Sequence, residues 1–277
     1  MANNLKIMVL SSKGGVGKST ITMQLIAPYL YKRDNKKISF YEFDDENSDC
    51  LSYGDSTLTS REIVDVSSTI LREQITDIVA RDESACFDIG GNKTTTMVID
   101  SMAENGMIHF INLVVIPLLD GEQDGINASV VYSVLKGMRP DLKFLFVLNR
   151  AKNHKHIKYQ FDNYFGDIRG IFRDDTSVKN YLFDEDKDKY AVMLDDEIIK
   201  HSRRFGLTVY EIAHKEQDFI AQLKLNMKDL SHEQEVKLIS FKNYIQKASK
   251  DYYKDVLSPA HNIIDSILED KNDDKTT

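Results

Sequence analysis

Lys13-Gly14-Gly15-Val16-Gly17-Lys18-Ser19-Thr20 is the stretch on which the fold of this chain turns. The apolar segment Ile7–Leu10 leads into it and a helical pattern over Ile21–Tyr31 follows. Strand, glycine-rich turn and helix is the setting a phosphate-binding loop needs. The glycines let the backbone wrap closely enough for successive N–H groups to face phosphate oxygens. The start of the helix adds partial positive charge. In such a loop Lys18 reaches the β- and γ-phosphates and the Ser19 hydroxyl takes magnesium.

The ordinary motif has a glycine five residues before Gly17, where this chain has Ser12, and a second lysine, Lys13, opens the loop instead. This variant loop resembles that of the ParA/MinD family of P-loop ATPases. The resemblance implies that Lys18 contacts nucleotide in its own subunit and that Lys13 reaches the nucleotide of a dimer partner. Gly14, Gly15, Val16, Gly17, Lys18, Ser19 and Thr20 are then the nucleotide-binding loop.

Bulk properties fit this reading. With 277 residues the chain buries a full core. A formal charge of −8 and a pI of about 5.4 argue against a dedicated nucleic-acid binder. Cys50 and Cys86 form neither a disulfide framework nor a zinc pattern. Met1–Lys6 leads straight into the first strand without a signal peptide, and the run Phe110–Leu119 is too short to span a bilayer. A cytoplasmic protein is expected.

Alternating elements predict a doubly wound α/β fold, a mostly parallel sheet covered by helices. Strands are expected at Ile7–Leu10, Lys37–Phe43, Ala85–Ile89, Ile108–Leu119, Leu142–Leu148 and Tyr190–Leu194. Helices are expected at Ser19–Lys32, Glu62–Arg81, Thr94–Asn105, Gly125–Gly137, near Ile157–Phe165, and at Asp195–Phe205 before Gly206. From Glu216 the pattern is helical, with a fresh start near Ser231 and an interruption at Pro259. The expected organisation is an ATPase core over 1–215, a helical extension over 216–269 packed on it, and a disordered charged tail over 270–277.

The family resemblance locates the rest of the site. Asp88 ends the strand Ala85–Ile89 and resembles the Walker B aspartate that holds magnesium with Ser19. Gly90 and Gly91 resemble the switch that senses the γ-phosphate. Asp100, after Met97-Val98-Ile99, is a rival for the magnesium role, although it falls where the next helix belongs. After the second strand the family has Asp-x-Asp-Pro-Gln; this chain has Glu42-Phe43-Asp44-Asp45-Glu46. Asp44 matches the aspartate that orients the attacking water, and Glu42 replaces the first aspartate. Five acids over Glu42–Asp49 make an unusually negative loop that equally reads as a solvated turn. Asn149 ends the fifth strand without the aspartate that GTP-binding relatives carry two residues beyond the following lysine position. Its amide suits the adenine edge, so ATP is the expected nucleotide, and its other reading is a simple strand terminator.

Lys200, Arg203 and Arg204 form a basic cluster before Phe205–Val209. Relatives bind DNA nonspecifically through basic C-terminal residues, and this cluster, with Lys237, Lys242, Lys247 and Lys250, is the candidate; a solvated helix face is the competing reading. His154 and His156 lack companion ligands for a metal site. The terminal residues have no apolar face, so no membrane anchor is expected there. The resemblance implies a magnesium-dependent ATPase that dimerises on ATP, is stimulated by a protein activator, and serves plasmid or chromosome partition or positioning. An accessory ATPase of conjugative transfer and a non-hydrolysing, ATP-locked adaptor are the alternatives.

Overall fold

The computed structural model describes residues 4–43, 49–67, 69–166, 185–215, 219–220, 223 and 230–270. Among the described residues seven strands make one sheet: β1 (Lys6–Val9), β2 (Ile38–Phe43), β3 (Thr59–Ile63), β4 (Ala85–Ile89), β5 (Leu113–Leu118), β6 (Phe144–Ala151) and β7 (Tyr190–Leu194). Their order is β3-β2-β4-β1-β5-β6-β7, and every pairing is parallel. β1 lies between β4 and β5, so the chain leaves it at the centre of the sheet, where parallel α/β folds bind ligands beyond their strand ends.

The central strands are mostly apolar because both faces are covered, with Lys6 and Asp88 as the charged exceptions in β1 and β4. Alternate residues feed two cores. Ile7, Val9, Phe40, Leu113 and Val115 join one; Met8, Leu10, Tyr41, Phe43, Val114 and Ile116 join the other. Helices Leu71–Ala80, Lys93–Glu104 and Glu122–Met138 cover the second face. The helix after the phosphate loop covers the first, together with Glu197–Arg204, Val209–His214 and the C-terminal helix.

Three expectations need correction. The segment predicted as a helix over Glu62–Arg81 starts as the edge strand β3, in register with β2, and its helix begins only at Leu71. Ile63, Val66 and Ile70 are spaced like a helix face, yet Ile63 is exposed on the edge strand and Val66 is buried in the following turn. The fourth predicted strand begins at Leu113, because Met107–Phe110 is a 3₁₀ turn and the Asn112 side chain accepts from the Lys6 amide.

Pro259 does not interrupt its helix. His232–Tyr252 passes through a π-helical segment, Tyr253–Leu257, into Ser258–Glu269. Pro28 is treated identically: Lys18–Ile21 runs through π-helical Thr22–Ile26 into Ala27–Asp34. A proline lacks the N–H for the carbonyl four residues back and its ring crowds that oxygen. The wider π turn just before each proline relieves the clash and lets the helix continue.

Other boundaries follow the sequence signals. Ser231 and Gln234 form a capping box. Asp196 caps Glu197–Arg204, and Gly206 ends that run at φ 66. The core includes Ile245, Tyr252, Leu257, Ile264 and Ile267 of the C-terminal helix. The predicted tail beyond Asp270 and much of the segment after Glu216 lie outside the described residues.

Candidate functional site

The loop leaves β1 at the carboxyl end of the sheet and enters the helix at Lys18. Gly15 and Gly17 take φ +75 and +92, the left-handed region that side chains resist. At Gly17 a Cβ would also collide with Asn149 Nδ2. Gly14 and Gly15 face open space, the cradle that close phosphate approach requires. Lys18 is buried and its ammonium folds back over the loop, donating to the Lys13 carbonyl at 3.2 Å.

Lys13 behaves differently. Its ammonium turns away from the loop to Asp124 Oδ2 at 2.8 Å, with side-chain exposures of 39% and 2% for the pair. Asp124 sits in the first turn of Glu122–Met138, and its Oδ1 is buried without a hydrogen bond among the described residues. Sequence reasoning missed Asp124; its signal was an acid shortly after the buried strand β5, next to the Gly121 turn.

Asp88 ends β4 beside β1 and β2, in register with Val9 and Glu42. Thr22 Oγ1 approaches Asp88 Oδ1 at 3.4 Å, and Cys50 Sγ approaches Oδ2 at 3.5 Å. Burial pushes the Asp88 carboxyl up to about 6; the Ser19 hydroxyl, Lys18 and Cys50 oppose the shift and Glu42 adds to it. Ser19 and Asp88, paired by that hydrogen bond next to Lys18, offer the oxygen donors that magnesium prefers. Asp100, the rival, is exposed within Lys93–Glu104.

The turn after Asp88 presses on the loop. Gly90 N donates to Phe43 O at 2.6 Å, and Asn92 N donates to Ser12 O at 2.8 Å. A Cβ on Gly91 would meet Gly14 N at 3.3 Å. Thr95 Oγ1 lies 2.6 Å from Gly90 O and 3.2 Å from Ser11 O. The loop and Gly90–Asn92 are thus hydrogen-bonded and packed directly against each other.

Asp44 lies outside the described residues. Glu42 is buried, and its Oε2 accepts from both Nε and Nη2 of Arg61 on β3. Asn149 is buried against the loop, donating to Val16 O at 2.7 Å while its Oδ1 accepts from Arg150 N. It fastens β6 to the phosphate loop. Beside it a cavity of about 300 Å³ is lined by Thr20, Asn149, Met193, Asp195, Lys200 and Arg203, among others. Two members of the basic cluster thus border the site. Arg203 donates to Ser52 Oγ at 3.0 Å, whereas Arg204 is exposed. The π segment serves the site as well: Gln24 within it donates to Ser202 and Tyr53 and accepts from Val209 N.

A seven-stranded parallel sheet with a glycine loop, a loop lysine and a strand-end aspartate at its centre has the layout of a P-loop nucleotide-binding fold. Similar solved structures include a complex of Cyanothece McdA with ATP, with 14% identity, a TM-score of 0.46, and coverage of 84% of this chain and 100% of that one. Another is the septum site-determining protein MinD from Pyrococcus horikoshii OT3 with Mg-ADP, at 17% identity, TM-score 0.46, and coverage of 81% and 96%. A plasmid partition protein from Borrelia burgdorferi is similar at 13% identity, TM-score 0.47, and coverage of 72% and 94%. No family model matches the sequence, and no curated protein matches it. Among the described residues no helix is long and apolar enough to cross a membrane.

Proposed function

We propose that this chain is an ATP-dependent dimerising switch ATPase of the ParA type, acting in plasmid or chromosome partition or positioning. The observation that carries the reading is the divergence of the two loop lysines: Lys18 lies over its own loop while Lys13 points away from it to Asp124. In this reading Gly14–Thr20 bind the ATP phosphates, and Ser19 with Asp88 hold magnesium, which supplies charge neutralisation at the β- and γ-phosphates. Lys13 exchanges Asp124 for the partner's nucleotide. Asp44 orients the attacking water, and hydrolysis releases the dimer. Asn149 positions the loop and leaves one amide N–H toward the base. A protein activator sets the rate. Lys200, which lines the cavity, and Arg204, both exposed, offer a weak, salt-sensitive contact to DNA.

Mixing two inactive variants tests the exchange. Lys13→Ala and Asp44→Ala are each expected to be inactive alone. In a mixed dimer the Lys13→Ala subunit keeps its own Asp44 and receives Lys13 from its partner. Co-refolded mixtures should regain roughly a quarter of wild-type turnover, half the dimers being mixed and half their sites complete. No recovery despite mixed dimers in mass spectrometry would refute the exchange. Filter retention of DNA with ATP at low and moderate salt tests the cargo; no ATP-dependent retention at low salt would refute partition.

A further inference from the structure

Asp88 has two carboxylate oxygens with different neighbours. Oδ1 faces Thr22 on the loop helix, and Oδ2 faces Cys50, which the 3₁₀ turn Asp49–Tyr53 brings over the end of the sheet. Glu42 is the register partner of Asp88 on the neighbouring parallel strand, so the sheet itself sets these two carboxylates side by side. Glu42, Cys50 and Asp88 are 2%, 3% and 4% exposed. One donor atom from each lies within 4.8 Å of the others.

The charge balance of this cluster is incomplete. Arg61 takes Glu42 Oε2, but Oε1 of the same carboxylate is buried without a hydrogen-bond partner among the described residues. A buried carboxylate oxygen left bare is costly, and a cation removes that cost. A cavity of about 250 Å³, lined by Cys50, Tyr53, Thr59 and Arg61 among others, adjoins the cluster and provides room for an ion to enter. Magnesium is a poor match: it prefers an all-oxygen octahedron and retains water. One sulfur with two carboxylates suits a borderline cation that accepts thiolate and four-coordination.

We propose that Glu42, Cys50 and Asp88 form a binding site for a thiophilic divalent cation of the zinc class, on the Oδ2 side of Asp88 that faces Cys50 and distinct from the magnesium position of the proposed nucleotide site. On binding, the metal–sulfur bond forms as the Cys50 thiol proton leaves to solvent; no electron is transferred, and water completes the coordination. The bound ion ties the ends of β2 and β4 to the 3₁₀ turn. This site requires no nucleotide, so its failure and the failure of the ATPase reading are separately visible.

The probe is Co²⁺ titrated into nucleotide-free, reduced full-length protein. The expected result is a saturable thiolate-to-cobalt charge-transfer band at one equivalent, with about one proton released per ion. The band should persist in Cys86→Ser, whose thiol is buried elsewhere in the sheet, and in excess Mg²⁺. It should vanish in Cys50→Ser. Glu42→Gln should weaken Co²⁺ binding by at least about tenfold while keeping the band at saturation. Lack of the band in wild type, its survival in Cys50→Ser, or its displacement by Mg²⁺ would each overturn the proposal. Should Cys50→Ser fail to fold by circular dichroism, unchanged Co²⁺ affinity in Glu42→Gln would overturn it.

Discussion

The two flanks of Asp88 are built for opposite charges. On the β1 side stand a glycine loop, the start of a helix and Lys18, all suited to an anion. On the β2 side stand Glu42 and Cys50, whose balancing cation is Arg61, reaching in from the edge strand. Asp88 is the seam between them. One buried acid is thus shared by a surface suited to phosphate and a pocket suited to a cation, so each flank sets the charge the other experiences.

Removing the anion flank should do the most damage. Lys18→Ala should lower ATP turnover about 10³-fold and also weaken nucleotide binding by the monomer. Lys13→Ala should match it in turnover but leave monomer binding within a few-fold, because Lys13 does not face its own loop. Isothermal titration of a nonhydrolysable analogue separates the two; equal losses of affinity would erase the distinction between the lysines.

Next comes the acidic flank. Arg61→Leu leaves Glu42 buried and unpaired and should cost about 3 kcal/mol in urea unfolding. Adding Glu42→Leu should restore much of that loss, because the remaining cost is charge burial. A double variant as unstable as the single would mean that Arg61 acts through packing.

The seam reports through pH. The folded Asp88 carboxyl sits near 6 against an ordinary 3.8, so the folded state holds its proton more tightly than the unfolded chain. Its contribution to stability is present below about pH 4 and is lost as pH rises through 6. Asp88→Asn should therefore stabilise the nucleotide-free protein by about 3 kcal/mol at pH 7, the gain fading as pH falls toward 4. A gain independent of pH would assign the effect to something other than Asp88 ionisation.

The mildest response lies at the outer end of the loop. Asp124→Asn frees Lys13 from its intramolecular partner and should tighten ATP-dependent dimerisation several-fold, about 1 kcal/mol. Sedimentation of the ATP-bound protein measures it. An unchanged or weakened dimer would show that the Lys13–Asp124 pair does not compete with association.

Much of this was legible in the residues because the signals are local. Glycines at Gly15 and Gly17, an apolar lead-in and a following helix specify the loop from neighbours in the chain. Asp88 was legible as a strand-end acid for the same reason. β3 was not, because an edge strand needs only one covered neighbour, and the spacing of Ile63, Val66 and Ile70 imitates a helix face. Pro259 signals a break to its neighbours in the chain. The π turn that absorbs it is stabilised instead by the packing of Val256, Leu257 and Ile264 in the core.

A parallel α/β sheet with a phosphate loop at β1 is written in the residues alone, since phosphate-cradling backbone is encoded by consecutive positions. The assembled fold was needed to set which way each loop lysine points, to fasten the loop with Asn149, and to bring Glu42, Cys50 and Asp88 together. The Cys50–Asp88, Lys13–Asp124 and Asn149–Val16 contacts join residues 38, 111 and 133 positions apart. Such partners are set by strand order and register, and no local pattern in the chain carries that information.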